Sequence, residues 1–204
     1  IFTSCGSESD NHAIRGVLEA NPEKSKIVTT KVEHPAVLNL CRYLGKKGFK
    51  VVELGVDKRG NLDLNQLKAA LTPDTAILSV MAANNESGTL FPIEEIGAIA
   101  KEKGVCFHTD AVQAAGKIPI DVKKMPIDLF SISGHKLHAP KGIGVLYVRR
   151  GTRISPLMIG GHQERGRRAG TENAPYIVGL GKACEMAMSG IFEETVKVKA
   201  LRDK

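Results

Sequence analysis

Leu129-Phe130-Ser131-Ile132-Ser133-Gly134-His135-Lys136-Leu137-His138-Ala139-Pro140-Lys141-Gly142 passes from apolar to polar within a few residues. Leu129 to Ile132 has the length and composition of a short buried strand. The chain then turns at Gly134, carries Lys136, and is shaped again by Pro140 and Gly142. This pattern predicts a lysine on a sharply bent loop beyond a strand end, partly withdrawn from water. Desolvation lowers an amine pKa and frees its lone pair, which is what a Schiff-base lysine requires. Ser133 and His135, just ahead of it, offer a hydroxyl and an imidazole to an anion such as phosphate. A loop lysine is as often a plain surface residue, so this stretch alone leaves both readings open.

A second stretch, His108-Thr109-Asp110-Ala111-Val112-Gln113, lies upstream, with Asp110 26 positions before Lys136. Val105 to His108 read as a strand, so Asp110 emerges at its end. A carboxylate there can pair with a protonated pyridine nitrogen. A lysine and an aspartate so placed match what pyridoxal phosphate enzymes use: the lysine holds the cofactor, and the carboxylate keeps its ring an electron sink.

Outward from these stretches, strands and helices alternate. Ile1 to Thr3 ends a strand, Ser4-Cys5-Gly6-Ser7 is a turn, and a helix is expected from Glu8 to about Ala20. The small residues at its start suit a phosphate on backbone N–H groups, or simply a cap by Ser7. Ile27 to Thr30 is a strand, Glu33-His34 a loop, and Pro35 opens a helix ending near Gly48. Val37, Leu40, Cys41 and Leu44 form its apolar face. After a strand over Val51 to Leu54, Asn61-Leu62-Asp63 opens a helix whose stripe is Leu64, Leu67 and Leu71. Ala76 to Ala82 is a near-continuous apolar run, the mark of a strand covered on both faces. It ends in Asn84-Asn85-Glu86-Ser87-Gly88, either a turn made of turn-forming residues or a position from which Asn85 meets a ligand. Pro92 starts a helix with Ile93, Ile96 and Ala100 on one face. Further strands are expected before Asp110, over Leu129 to Ser133 and over Gly144 to Val148. From Pro175 a helix buries Ile177, Leu180, Gly181, Cys184 and Met188, and Glu193 to Lys204 reads as another. The rhythm predicts an α/β fold, a mostly parallel mixed sheet with helices on both faces. Ligands in such sheets bind beyond the carboxyl ends of the strands. Ser7, His34, Asn85, Asp110 and Lys136 all come just after predicted strands or the turns they feed.

Composition narrows the function classes. The 204 residues suffice for one domain with a real core, at 42% hydrophobic and 25% charged content. No apolar run is long enough to span a bilayer, and the first residues are no signal peptide. The chain starts without Met, inside what reads as a strand, and is expected to be a fragment. Net charge is +7, yet the lysines are scattered and only nine Phe and Tyr occur, so no nucleic-acid surface is expected. Arg165, Arg167 and Arg168 form the one dense basic cluster, suited to a phosphate or a carboxylate. Cys5, Cys41, Cys106 and Cys184 make no CxxC pair, and no complete metal-ligand set is found. Buried thiols in a reducing cytosol are the default.

Taken together, the motifs resemble those of the aminotransferase-like, fold type I pyridoxal phosphate enzymes, and within them the cysteine desulfurases of the NifS/IscS type. The pieces that carry the resemblance are Phe2 to Asn11, Glu33-His34-Pro35-Ala36-Val37, Ala83 to Gly88, His108 to Gln113, Ser133-Gly134-His135-Lys136 and Arg168-Ala169-Gly170-Thr171-Glu172. They keep the family's order over nearly the whole chain. Gly161 to Arg168 and Leu137 to Pro140 look most like the nitrogen-fixation branch. The resemblance implies the large domain of an aspartate aminotransferase-like fold over residues 1–190, with 191–204 starting a helix toward a C-terminal small domain. It implies that Lys136 holds pyridoxal 5'-phosphate and moves protons, that His34 stacks on the ring and shuttles protons, and that Asp110 pairs with the ring nitrogen. Gln113 and Asn85 would bond the ring oxygen, and Gly6, Ser7, Ser133 and His135 the phosphate. Thr171 would reach the phosphate of the other subunit of a homodimer. The implied reaction takes L-cysteine to L-alanine, with sulfur leaving as a protein persulfide for an iron-sulfur scaffold protein. None of the four cysteines stands at the family's persulfide motif, and the arginine that holds the substrate carboxylate is also expected beyond Lys204. Another fold type I lyase, such as a selenocysteine lyase, or an idle fragment serving dimer or partner contact, is the alternative.

Overall fold

A computed structural model describes all of residues 1–204. The chain forms one sheet of seven strands: β1 (Phe2–Thr3), β2 (Lys26–Thr30), β3 (Lys50–Leu54), β4 (Thr75–Ser79), β5 (Cys106–Asp110), β6 (Leu129–Ser133) and β7 (Gly144–Val148). Their order across the sheet is β1-β7-β6-β5-β4-β2-β3. The neighbouring pairs from β6 to β3 are parallel, while β7 runs antiparallel to both β6 and β1. The helices are α1 (Gly6–Ala20), α2 (Pro35–Lys46), α3 (Leu64–Ala70), α4 (Ile93–Glu102) and α5 (Ala174–Arg202). The mostly parallel mixed sheet expected from the sequence is the one observed.

The interior strands show why. Every residue of β2 and of β4 is buried. Successive side chains of a strand point to opposite faces, so a strand covered on both sides must be apolar on both. Ile27, Ile77 and Leu129 pack on one face with Ile14 and Val17 of α1 and Leu40 and Leu44 of α2. Val28, Leu78 and Phe107 pack on the other with Leu67 of α3 and Ile96 of α4. Helix starts are locally specified. His34 caps α2 by accepting the Ala36 N–H at Nδ1, with Pro35 in the first turn, and Asp63 caps α3 through the N–H groups of Asn65 and Gln66. Arg149 ties the segment before β6 to the strand pair, donating to the carbonyls of Ile127, Val122 and Met125.

Two expectations about the C-terminal region are corrected. Glu193 to Lys204 is no separate helix, because α5 runs unbroken from Ala174 to Arg202. Its predicted buried face is only partly covered: Leu180, Ala183 and Ile191 are buried, but Met188 is 69% exposed. Apolar residues occur all around this helix, so periodicity could not single out the face that packs.

Candidate active site

The carboxyl ends of β4, β5 and β6 and the start of α1 enclose a hollow of about 390 Å³. Gly6, Ser7, His34, Asn85, Asp110, Gln113, Ser133, His135 and Lys136 line it. Residues spread over 131 positions of sequence thus meet in one place. Gly6 shows how tightly the walls join. A Cβ at this position would stand 2.9 Å from Val112 Cγ2 and 3.3 Å from Ser133 Cβ. Only glycine lets α1 begin against the ends of both β5 and β6.

The N-cap of α1 is Cys5, and no side chain caps this helix. Ser7, the expected cap, is exposed within the first turn. The first-turn N–H groups are therefore left to solvent or to an anion, in the positive field of the helix end. Next to them Ser133 Oγ and His135 Nδ1 lie 2.9 Å apart. Asp110 is buried, and its Oδ1 accepts the Val112 N–H at 2.9 Å. Burial pushes this carboxyl up, and the Val112 N–H and nearby His34 pull back. Gln113 is held by Lys117 Nζ, which donates to its carbonyl at 3.2 Å and to Oε1 at 3.1 Å. Asn85 Nδ2 donates to Glu86 Oε1, while Asn84 fixes the turn by accepting from the N–H groups of Glu86 and Ser87.

Lys136 departs from expectation. It is exposed rather than withdrawn from water, because β6 leads into a single 3-10 turn over Gly134–Leu137 that lifts the side chain off the strand end. The turn is closed by His138 in the left-handed region, at φ 63°. Thr171 does not join this hollow within one chain. It lines a separate one with Phe2, Ser4 and Arg168. Arg168 is engaged internally, donating to both oxygens of Glu8 at 2.8 and 3.2 Å, so its carboxylate partner belongs to the protein itself.

Asp10 lines the hollow as well and was not read from the sequence. The signal was present: it lies on the α1 face that also buries Gly6, Ala13 and Val17, a carboxyl where an apolar residue belongs. A larger cleft, of about 590 Å³, lies at the opposite end of the sheet. Lys24, Lys101, Lys123, Lys124, Arg150 and Arg153 converge there, so lysines scattered in sequence are gathered in space. Its one carboxylate, Asp128, stands 4.0 Å from Arg149 Nε.

For a group with a phosphate, a pyridine ring and an aldehyde, the residues present fit. An uncapped helix start with a serine and a histidine faces one need. A buried carboxylate with one oxygen free of protein donors meets the second. An accessible lysine meets the third.

Comparison with known proteins agrees with this geometry. A cysteine desulfurase of Nostoc sp. is 61% identical over the whole chain, which covers 51% of that protein. The cysteine desulfurase NifS of Azotobacter vinelandii is 60% identical with the same coverage. A solved structure titled NifS-like protein superposes with a TM-score of 0.96 at 45% identity, over all of this chain and 56% of that one. The chain thus spans about half the length of the curated relatives it matches. The model of the family described as aminotransferase class-V matches residues 1–202, and the chain belongs to that family.

Proposed function

We propose that this chain is the cofactor-binding part of a cysteine desulfurase, using pyridoxal phosphate to convert L-cysteine to L-alanine and passing the sulfur on as a protein persulfide. The observation that carries the reading is the single hollow holding Lys136, Asp110 and the uncapped start of α1. Relatives of 60% identity named cysteine desulfurases support it. Bound pyridoxal phosphate would supply an electron sink for the pair released at the substrate Cα. Lys136 provides the amine that holds it, and Nζ then serves as the base for the Cα proton. The free oxygen of Asp110 would hold the proton of the ring nitrogen. His34, with Nδ1 engaged by the Ala36 N–H, keeps Nε2 as its proton-carrying nitrogen. Gly6, Ser7, Ser133 and His135 would take the phosphate, and Asn85 and Gln113 the ring oxygen.

Sulfur release requires a thiolate to attack the substrate sulfur, so that the C–S pair stays with carbon and a persulfide forms. Cys41, Cys106 and Cys184 do not line the hollow, and burial pushes the Cys41 thiol up to about 12 and raises the other two. Cys5 lines the hollow beside the phosphate position. The persulfide-forming cysteine and the arginine for the substrate carboxylate are proposed to lie in the part of the relatives that this chain does not span. The division near residue 190 belongs to the same reading, with unbroken α5 as the connector to a small domain. A homodimer in which Thr171 completes the partner's phosphate site, an iron-sulfur scaffold protein as sulfur acceptor, a nitrogen-fixation role and a cytoplasmic setting complete the proposal. No helix is long and apolar enough to cross a membrane.

Borohydride reduction of the chain with pyridoxal phosphate, with peptide mapping of the product, should put the adduct on Lys136. An adduct on Lys141 instead would refute the assignment. Incubation with L-cysteine should give little alanine, because correct placement supplies effective molarities on the order of 10⁵ M or more that a remote thiol lacks. Turnover at the rate of a full-length desulfurase, lost in Cys5→Ser, would make Cys5 the acceptor and overturn this part.

A further inference from the structure

Beneath the hollow lies a polar cluster that the proposed chemistry does not use. Asp10 of α1 is 1% exposed and Glu33 of the β2–α2 loop 5%. Asp10 lines the hollow with Asp110, Glu33 lies near both without lining it, and His108 of β5 is fully buried beside Asp10. His108 is bridged by hydroxyls on both sides, 2.9 Å to Ser79 Oγ from Nδ1 and 2.9 Å to Ser131 Oγ from Nε2. Asp10 Oδ1 lies 3.6 Å from His108 Nε2, beyond hydrogen-bond reach, and has no partner. Glu33 Oε1 accepts from Thr30 Oγ1 and the Met81 N–H, and its Oε2 has no partner. No lysine or arginine forms an ion pair with any of the three carboxyls.

Three buried carboxyls without a buried cation cannot all be ionised. His108 offers no compensating charge, since burial pushes it down to about 3 and it is neutral. Asp110 and Glu33 each accept a backbone N–H, but only Asp110 also has His34 nearby and opens on the hollow, so it bears charge most readily. Asp10 has neither the N–H nor His34. It faces Asp110 and His108 from β5, Ser131 from β6, Glu33 from the β2–α2 loop and Cys5 from the turn before α1, and burial together with the charge of Asp110 drives it upward against the pull of the Ser131 hydroxyl.

We propose that Asp10 is a positioning residue of the pocket floor, a neutral carboxylic acid whose retained proton confines the floor's negative charge to Asp110. The value of that charge to a cofactor rests on the proposed function, but the proton on Asp10 does not. With Asp10 ionised, the two carboxylates would repel and Asp110 would take up the proton that a pyridinium partner must not hold. With Asp10 neutral, Asp110 stays an acceptor.

The test is carboxyl-carbon NMR of the 204-residue chain carrying labelled aspartate, with retention of pyridoxal phosphate measured in parallel. At neutral pH one aspartate signal should stand at the protonated position and vanish in Asp10→Asn. Asp10→Asn, which mimics the neutral acid, should retain pyridoxal phosphate within about threefold of the parent. No protonated aspartate in the unmodified chain would overturn the proposal without any variant. So would a protonated aspartate signal that survives Asp10→Asn. Failure of the unmodified chain to bind pyridoxal phosphate would sink the functional reading and leave the carboxyl result to decide on Asp10.

Discussion

Glu33 has one oxygen doubly bonded by donors and one with no partner at all. A carboxylic acid suits that environment better than a carboxylate, and burial pushes Glu33 up to about 8. The unfolded chain gives up this proton near the ordinary value of 4.5, whereas the folded chain keeps it to about 8. Glu33 therefore lowers stability progressively as pH rises between those values, by roughly 3–5 kcal/mol at most. Glu33→Gln keeps the acceptor oxygen and removes the titration. It should flatten the fall in stability from pH 5 to pH 8, read by urea unfolding, and parallel curves for the two chains would disprove the assignment. His108 works at the other limb. Its folded value lies near 3 against an ordinary 6.5, so stability falls as pH drops through that window. Glu33→Gln should leave this acid limb in place.

Elements are held against one another where side chains are absent. Gly6 lets α1 start beside Val112 and Ser133, and Gly97 lets α4 lie 2.5 Å, measured from the missing Cβ, from the Pro126 carbonyl oxygen. Alanine at either site should cost about 1–3 kcal/mol through overpacking. The two should differ in function: Gly6→Ala pushes away the helix end that is to hold a phosphate, so pyridoxal phosphate retention should fall at least severalfold. Gly97→Ala should retain it once folded, and equal losses would contradict the division. These contacts also mark what the sequence made legible. The strand run Leu129 to Ser133 and the apolar stripe Val37, Leu40, Cys41, Leu44 were readable because period and burial coincide. Asp110 and Lys136 were readable because side chains at and just beyond a strand's carboxyl end reach the rim of the sheet, where ligands bind. The exposure of Lys136 was not, since a 3-10 turn and a left-handed His138 leave little trace in composition. Asp10 left a trace, a carboxyl on the helix face that carries Ala13 and Val17, but only its tertiary partners show that it meets Asp110.

At the scale of the molecule, the hollow is assembled from opposite ends of the sequence by one late strand. β7 lies between β1 and β6, pairing Thr3 with Gly144 and Ser133 with the same residue. A Cβ on Gly144 would meet the Cys5 carbonyl carbon at 2.7 Å, so the turn that launches α1 rests directly on β7. This arrangement has a consequence in time. Synthesis at about 5–20 residues per second leaves on the order of ten seconds between the emergence of α1 and that of the strand that anchors it. Through that interval the apolar face of α1 has no β6 or β7 to cover it, and the nascent chain is open to chaperones and to mispairing. A chain ending at Gly142 carries every residue that lines the hollow, yet it should fail to retain pyridoxal phosphate after gel filtration, while the 204-residue chain retains it. Equal retention by the two would mean that β1 and α1 find their places without β7, and that the site matures before the sheet is complete.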